Sequence, residues 1–221
     1  MNKLLKLFVL LVCVFFVRSA VAMPLESDQR IEIGTDSYSI HQGKDLESAK
    51  CYVLKPEGFS KLKDFLLSHK GITSLILFVH TKERQFPEDF FEDLEHLTLL
   101  VIIYSGLTSL PRSIGCLINL QELYLGNNCL ISLPDTIGEL INLTVLYLGT
   151  NKLISLPDTI GNLRSLKELK LSFNKITKLP QSIVSLSKSL TLLDIFATRI
   201  QRVPDQLLYK EEQHKLRIVR F

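Results

Sequence analysis

The sequence has only four cysteines, Cys13, Cys51, Cys116 and Cys129, and no two of them have the C-x-x-C spacing of a metal site or a redox pair. They are too few and too far apart to staple a small disulfide-held domain, which leaves small buried or half-buried thiols as their expected role. Five histidines, His41, His69, His80, His96 and His214, are scattered without a ligand spacing, and no glycine-rich phosphate loop, Gly-x-Ser-x-Gly elbow or His-Glu-x-x-His segment occurs. No catalytic residue, cofactor or metal is therefore expected. An excess of one charge is also missing. Lys and Arg number 26 against 23 Asp and Glu, and the surplus is Lys3, Lys6 and Arg18, which precede the first acidic residue. The balanced remainder has no basic excess to release counterions from a phosphate backbone, so nucleic acid is not an expected partner. Nor is there an apolar run of the roughly 20 residues that cross a bilayer; that from Leu7 to Val17 has eleven.

What is present is ample apolar material, 46% hydrophobic against 22% charged residues, enough for a packed core. Lys3 and Lys6, the run Leu7 to Val17 and the small residues up to Ala22 follow the three-part layout of a secretory signal peptide. Cleavage after Ala22 is expected, giving a periplasmic or extracellular (secreted) protein with no stable membrane anchor. Val12 before Cys13 does not fit a lipidation site. Maturation would leave three cysteines, an odd and dispersed set that suits a bacterial source better than an animal or plant ectodomain.

A fixed period organises the rest. Pro111, Pro134, Pro157 and Pro180 are 23 residues apart, as are Asn128, Asn151 and Asn174, and Gly115, Gly138 and Gly161 keep the same step. Pro204 arrives one residue late and Pro87 one early. The unit L-x-x-L-x-L-x-x-N-x-L appears clearly at Leu120–Leu130, Leu143–Leu153 and Leu166–Ile176, each followed by Leu-Pro-x-x-Ile. Weaker copies run from Leu97, with Ser105 at the Asn position, and from Leu190, with Thr198 there. A degenerate copy runs from Ile72 to His80.

These units resemble the leucine-rich-repeat family, in the 23-residue class found in secreted bacterial proteins and in Ras-associated scaffolds, and the resemblance covers about residues 72 to 208. It implies an α/β fold: a right-handed solenoid with a parallel β-sheet on its concave face and 3-10 or other short helices on its convex face. The residue types have physical reasons too. Alternate side chains of a strand face opposite ways, so two leucines of L-x-x-L-x-L point inward and the residue between them faces solvent. One unit cannot shield its own leucines, so units must stack and the end ones need caps. The Asn amide can satisfy backbone groups where the chain turns. Proline, without an N–H, suits a segment that has left the sheet.

Phe59 to Leu66 has apolar residues at helical spacing and ends before Lys70-Gly71, predicting an N-terminal cap helix. Ser48 to Leu54 is expected to add a strand beside the first repeat, and Leu216 to Phe221 a closing strand. The expected divisions are a signal peptide over 1–22, an arm and cap over 23–71, about six repeats over 72–212 and the closing strand over 213–221.

Function is sought in the columns that stacking creates. The solvent-facing column runs Ile76, Val101, Tyr124, Tyr147, Lys170, Asp194, and its neighbour runs Ser74, Leu99, Glu122, Val145, Glu168, Leu192. Tyr104 and Phe173 flank them. Exposed aromatics suit an interface because they give large contact area at small entropic cost. The candidate protein-binding set is therefore Tyr104, Glu122, Tyr124, Val145, Tyr147, Glu168, Lys170, Phe173 and Asp194. The alternative is that the tyrosines only pack on each other as a cross-strand pair. Ile76, Leu99, Val101 and Ile103 would form an apolar patch, covered by the N-terminal arm in a monomer or by a second copy in a dimer. Fold and export together point to a module that binds a protein ligand, with a host-directed, virulence-associated role as one form of it. An adhesive envelope protein and a regulator of another enzyme are the alternatives.

Overall fold

The computed structural model describes residues 49–54, 59–79 and 84–220, which belong to one structural unit of the chain. The expected leader, the arm from Pro24 to Lys44, His41 and His80 lie outside the described residues.

A single parallel sheet runs through the fold in chain order, β1 (Ala49–Leu54), β2 (Ser74–Val79), β3 (Leu99–Ile102), β4 (Glu122–Tyr124), β5 (Val145–Tyr147), β6 (Glu168–Lys170), β7 (Leu192–Asp194) and β8 (Arg217–Val219). Among the described residues each strand pairs only with its sequence neighbours. The expected columns are the observed register: Ile76 opposes Val101, Val101 opposes Tyr124, Tyr124 opposes Tyr147, Tyr147 opposes Lys170 and Lys170 opposes Asp194. The flanking strands expected at either end are β1 and β8.

Between strands the chain returns over the other face through short 3-10 helices, Arg112–Cys116, Asp135–Glu139, Asp158–Asn162 and the longer Gln181–Lys188. Each starts after a column proline in extended conformation, whose ring already fixes φ and whose carbonyl accepts from the Ile three residues on. Between these layers lie the leucines. Leu123, Leu125, Leu146, Leu148, Leu169 and Leu171 are completely buried, each contributing about 1.5–3 kcal/mol that an isolated unit could not realise.

Helix α1 (Phe59–Ser68) closes the N-terminal end by burying Phe59, Leu62 and Leu66. Phe59 meets Phe86 and Phe90 at ring centroid distances of 5.1 and 5.4 Å, and Phe91 packs against both of those rings. At the other end an α-helix, α2 (Asp205–Glu212), replaces the 3-10 turn, burying Leu207 beside Val203 and Leu216.

The asparagines act as expected. Asn151 Oδ1 accepts from Leu130 N, and its Nδ2 donates to Leu125 O and Leu148 O, tying its own strand to the preceding repeat. Asn128 and Asn174 do the same. At the same position the Ser105 hydroxyl donates to Ile103 O, and the Thr198 hydroxyl donates to Ile195 O and accepts from Ile200 N. The residue before each of these positions is left-handed in every unit from Tyr104 on: Tyr104 (φ 52°), Asn127 (57°), Thr150 (58°), Phe173 (57°) and Ala197 (52°). Sequence reasoning did not anticipate this column, although Asn127 is a residue type that tolerates it.

One expectation needs correcting. Cys116 is exposed, not buried, while Cys129 is half-buried, and both are free. Ile76, Val101 and Ile103 are buried and Leu99 is half-buried.

Candidate functional site

The sheet face centres on the two Tyr-Leu-Gly segments, Tyr124 to Gly126 and Tyr147 to Gly149. The tyrosine rings stand 6.3 Å apart at 46°, and both residues are half-buried. Tyr147 lies over both glycines: a Cβ at Gly149 would meet its ring and hydroxyl at 3.2 Å, and one at Gly126 would come closer still. Neither glycine has a positive φ, so space is what favours glycine, strictly at Gly126 and less so at Gly149.

Charged groups frame the pair. Tyr124 donates its hydroxyl to Glu122 Oε2 at 2.8 Å. Burial pushes the Tyr124 phenol far above its ordinary range, reinforced by that hydrogen bond and by the Glu122 and Glu168 charges. Tyr147 is also pushed up, first by burial and then by Asp194. Lys170 Nζ sits 3.1 Å from Glu168 Oε2 and 5.9 Å from the centre of the Tyr147 ring, so one cation bridges a carboxylate and an aromatic face. Asp194 Oδ1 accepts from Phe196 N at 3.0 Å, which gives it a turn-forming role. Val145 fills the row between Glu122 and Glu168.

Seven of the nine sequence-derived residues, Glu122, Tyr124, Val145, Tyr147, Glu168, Lys170 and Asp194, are thus adjacent on β4 to β7. Tyr104 and Phe173 lie outside the strands, on the left-handed column at the turn-side rim, and are exposed. Phe196 was missed. It packs edge-on against Phe173 at 5.4 Å and 74°, a diagonal contact that reading straight columns does not reveal.

Among the described residues no cluster of His, Cys, Asp and Glu is arranged to hold a metal, and no helix is long and apolar enough to cross a membrane. His96 is half-buried and its ring nitrogens have no protein partner; desolvation lowers its pKa, followed by an opposing pull from Glu95 and a further lowering from Lys70. Partial burial and the carboxylates Glu92, Glu139 and Asp93 push the Cys116 thiol up, which keeps it protonated and a poor nucleophile.

Residues 66–175 match the family model described as a leucine-rich repeat region, and residues 165–186 match the model of a single leucine-rich repeat. Among solved structures, the chain is similar to a leucine-rich-repeat protein of Leptospira interrogans, with a TM-score of 0.64 and 30% identity over 77% of this chain and 47% of that one. It is also similar to TLR13 in complex with ssRNA13, with a TM-score of 0.59 and 30% identity over 70% of this chain and 22% of that one. A third is the ectodomain of the plant membrane receptor kinase GASSHO1/SCHENGEN3 from Arabidopsis thaliana in complex with CASPARIAN STRIP INTEGRITY FACTOR 2. Its TM-score is 0.55 and its identity 28%, over 66% of this chain and 18% of that one. The chain spans about half, or less, of the length of these neighbours. No curated protein matches it significantly. Repeat spacing, asparagine ladder, parallel sheet and family models agree: the chain belongs to the leucine-rich-repeat family.

Proposed function

We propose that this protein is an exported, non-catalytic module that binds a protein ligand on its concave sheet face, and that it serves a bacterial cell in contact with a host. The supporting observation is the half-buried Tyr124–Tyr147 pair, held by Gly126 and Gly149 and framed by Glu122, Glu168 and Lys170. Aromatic rings already fixed in the free protein lose little entropy on binding, and charges at their edge select the partner. Leucine-rich-repeat proteins are typically binding modules, and the ectodomain neighbour is a complex with its factor. The Leptospira neighbour and the signal-like segment over 1–22 support the bacterial and exported parts of this reading. In it, residues 23–71 form the arm and cap, 72–212 the repeats and 213–221 the closing strand.

The test is quantitative capture of ligands from host and bacterial surface extracts with the full-length protein, beside the variant Tyr124→Ala/Tyr147→Ala. Selective loss of one retained protein, with the variant still folded, supports the reading. An unchanged retained set sinks the sheet-face assignment, and recovery of the protein only from the periplasm sinks the host-directed part.

A further inference from the structure

The overall charge balance conceals a segregation along the solenoid. From residue 84 to 163 acidic residues outnumber basic ones nine to three, whereas from 164 to 220 basic residues outnumber acidic ones twelve to five. Four of these twelve, Lys175, Lys178, Arg199 and Arg202, share one flank with Lys152, where the chain leaves the sheet after the asparagine ladder. Backbone hydrogen bonds stack the start of this segment from repeat to repeat, Lys152 N to Leu130 O, Lys175 N to Leu153 O and Arg199 N to Ile176 O, each 2.9 Å. Lys152, Lys175 and Arg199 therefore form one column, and Lys178 and Arg202 lie three residues further along their segments. All five are exposed, and no Asp or Glu occurs in segments 151–156, 174–179 or 198–203. The ion pairs formed among the described residues use Lys63, Lys170 and Arg220, none of these five.

Apolar groups adjoin the cations. Phe173, two residues before Lys175, is 55% exposed, and its partner Phe196, three residues before Arg199, is 37% exposed. Phe173 occupies a left-handed backbone position, where a bulky side chain costs about 1–2 kcal/mol, and the core gains little from so exposed a ring. Ile131 and Ile154 lie exposed on the same flank, one repeat apart.

We propose that this flank, from Lys152 to Arg202 with Phe173 and Phe196 at its rim, docks an acidic protein segment in which carboxylates alternate with apolar side chains. Charge complementarity demands an acidic occupant. Its apolar component is assigned by the phenylalanines and isoleucines. A single-stranded nucleic acid fits less well, because the edge-to-face pair turns one ring's edge onto the other's face and leaves a poor platform for stacked bases. The surface is separate from the tyrosine pair and does not depend on that pair being a ligand site.

The test uses the full-length protein and a fluorescein-labelled peptide of alternating Glu and Leu, read by fluorescence anisotropy. Binding that weakens with added salt is expected, with a loss of about tenfold in Lys175→Glu/Arg199→Glu. Phe173→Asn, which keeps every charge, should also weaken binding several-fold. Lys188→Glu, a single charge reversal on the convex side, should leave it unchanged, and thermal melts confirm that each variant is folded. Equal binding by wild type and both flank variants overturns the proposal. So does tighter binding of an oligo-dT strand than of the peptide, which assigns the flank to nucleic acid. Salt-sensitive self-association abolished by Lys175→Glu/Arg199→Glu also overturns it, assigning the flank to a second copy.

Discussion

The ring of Tyr147 lies against the backbone of Gly126 in the preceding repeat, so closely that a Cβ on residue 126 would stand 2.3 Å from its Cε1. A glycine two residues beyond one strand thus holds the side chain that decorates the next. Gly126→Ala should leave the backbone in place, since φ at that position is not positive, but force the ring away and open the tyrosine pair. The expected cost is about 1–3 kcal/mol, read from a chemical melt, together with weakened capture of whatever ligand the sheet face retains.

Asn151 tests the ladder. Replacing it with Ala strands the Leu130 N–H in the interior and leaves the Leu125 and Leu148 carbonyls only their bonds from Asn128 and Asn174, and a loss of about 2 kcal/mol is expected in urea unfolding. Asp at the same position keeps the acceptor but neither donor, and should be no better. A loss below about 1 kcal/mol in both variants would show that water or relaxation replaces the amide.

Thr150 holds a β-branched side chain at φ 58°, exposed to solvent. Thr150→Asn, copying Asn127 one repeat earlier, should stabilise the protein by about 0.5–1 kcal/mol, or about 2–4 °C in Tm per kcal/mol for a chain of this size. Thr150→Val should give no such gain.

Alkali provides a fourth check. The folded state holds Tyr124 and Tyr147 neutral beyond the ordinary phenol pKa, so the unfolded chain loses those protons first. The stability this contributes is therefore complete below about pH 10 and falls as pH rises above it. Tyr124→Phe should flatten that fall while removing the hydrogen bond to Glu122 at neutral pH. An identical slope in variant and wild type would contradict the burial assigned to Tyr124.

Most of the scaffold was legible because a 23-residue step fixes strand register by simple alignment: Tyr124 had to meet Tyr147, and Glu122 had to meet Val145. The asparagine bonds followed from one amide's donors and acceptor. Features set by contact between repeats, not by position within one, were hidden. The ring over Gly126 and the aromatic cluster of Phe59, Phe86 and Phe90 join residues that the 23-residue step does not relate, and the extra residue of the last unit makes the contact of Phe173 with Phe196 a diagonal one. The left-handed column escaped because Tyr104, Thr150 and Phe173 are not residues that normally announce it. Charge segregation was readable in the sequence but was lost when the acids and bases were summed over the whole chain.

On the convex side, a Cβ at Gly138 would fall 2.5 Å from Thr159 O, and one at Gly161 2.5 Å from Ser182 O. The step from one turn to the next is therefore gauged by a hydrogen atom, and any side chain there would wedge the turns apart. Val184 stands in the equivalent place in the next turn, and the chain answers it with an α-helix. A duplicated 23-residue block is thus accommodated between the glycine-bearing turns but not behind Val184. The array can lengthen from its middle, carrying its tyrosine face with it, while both ends stay as they are.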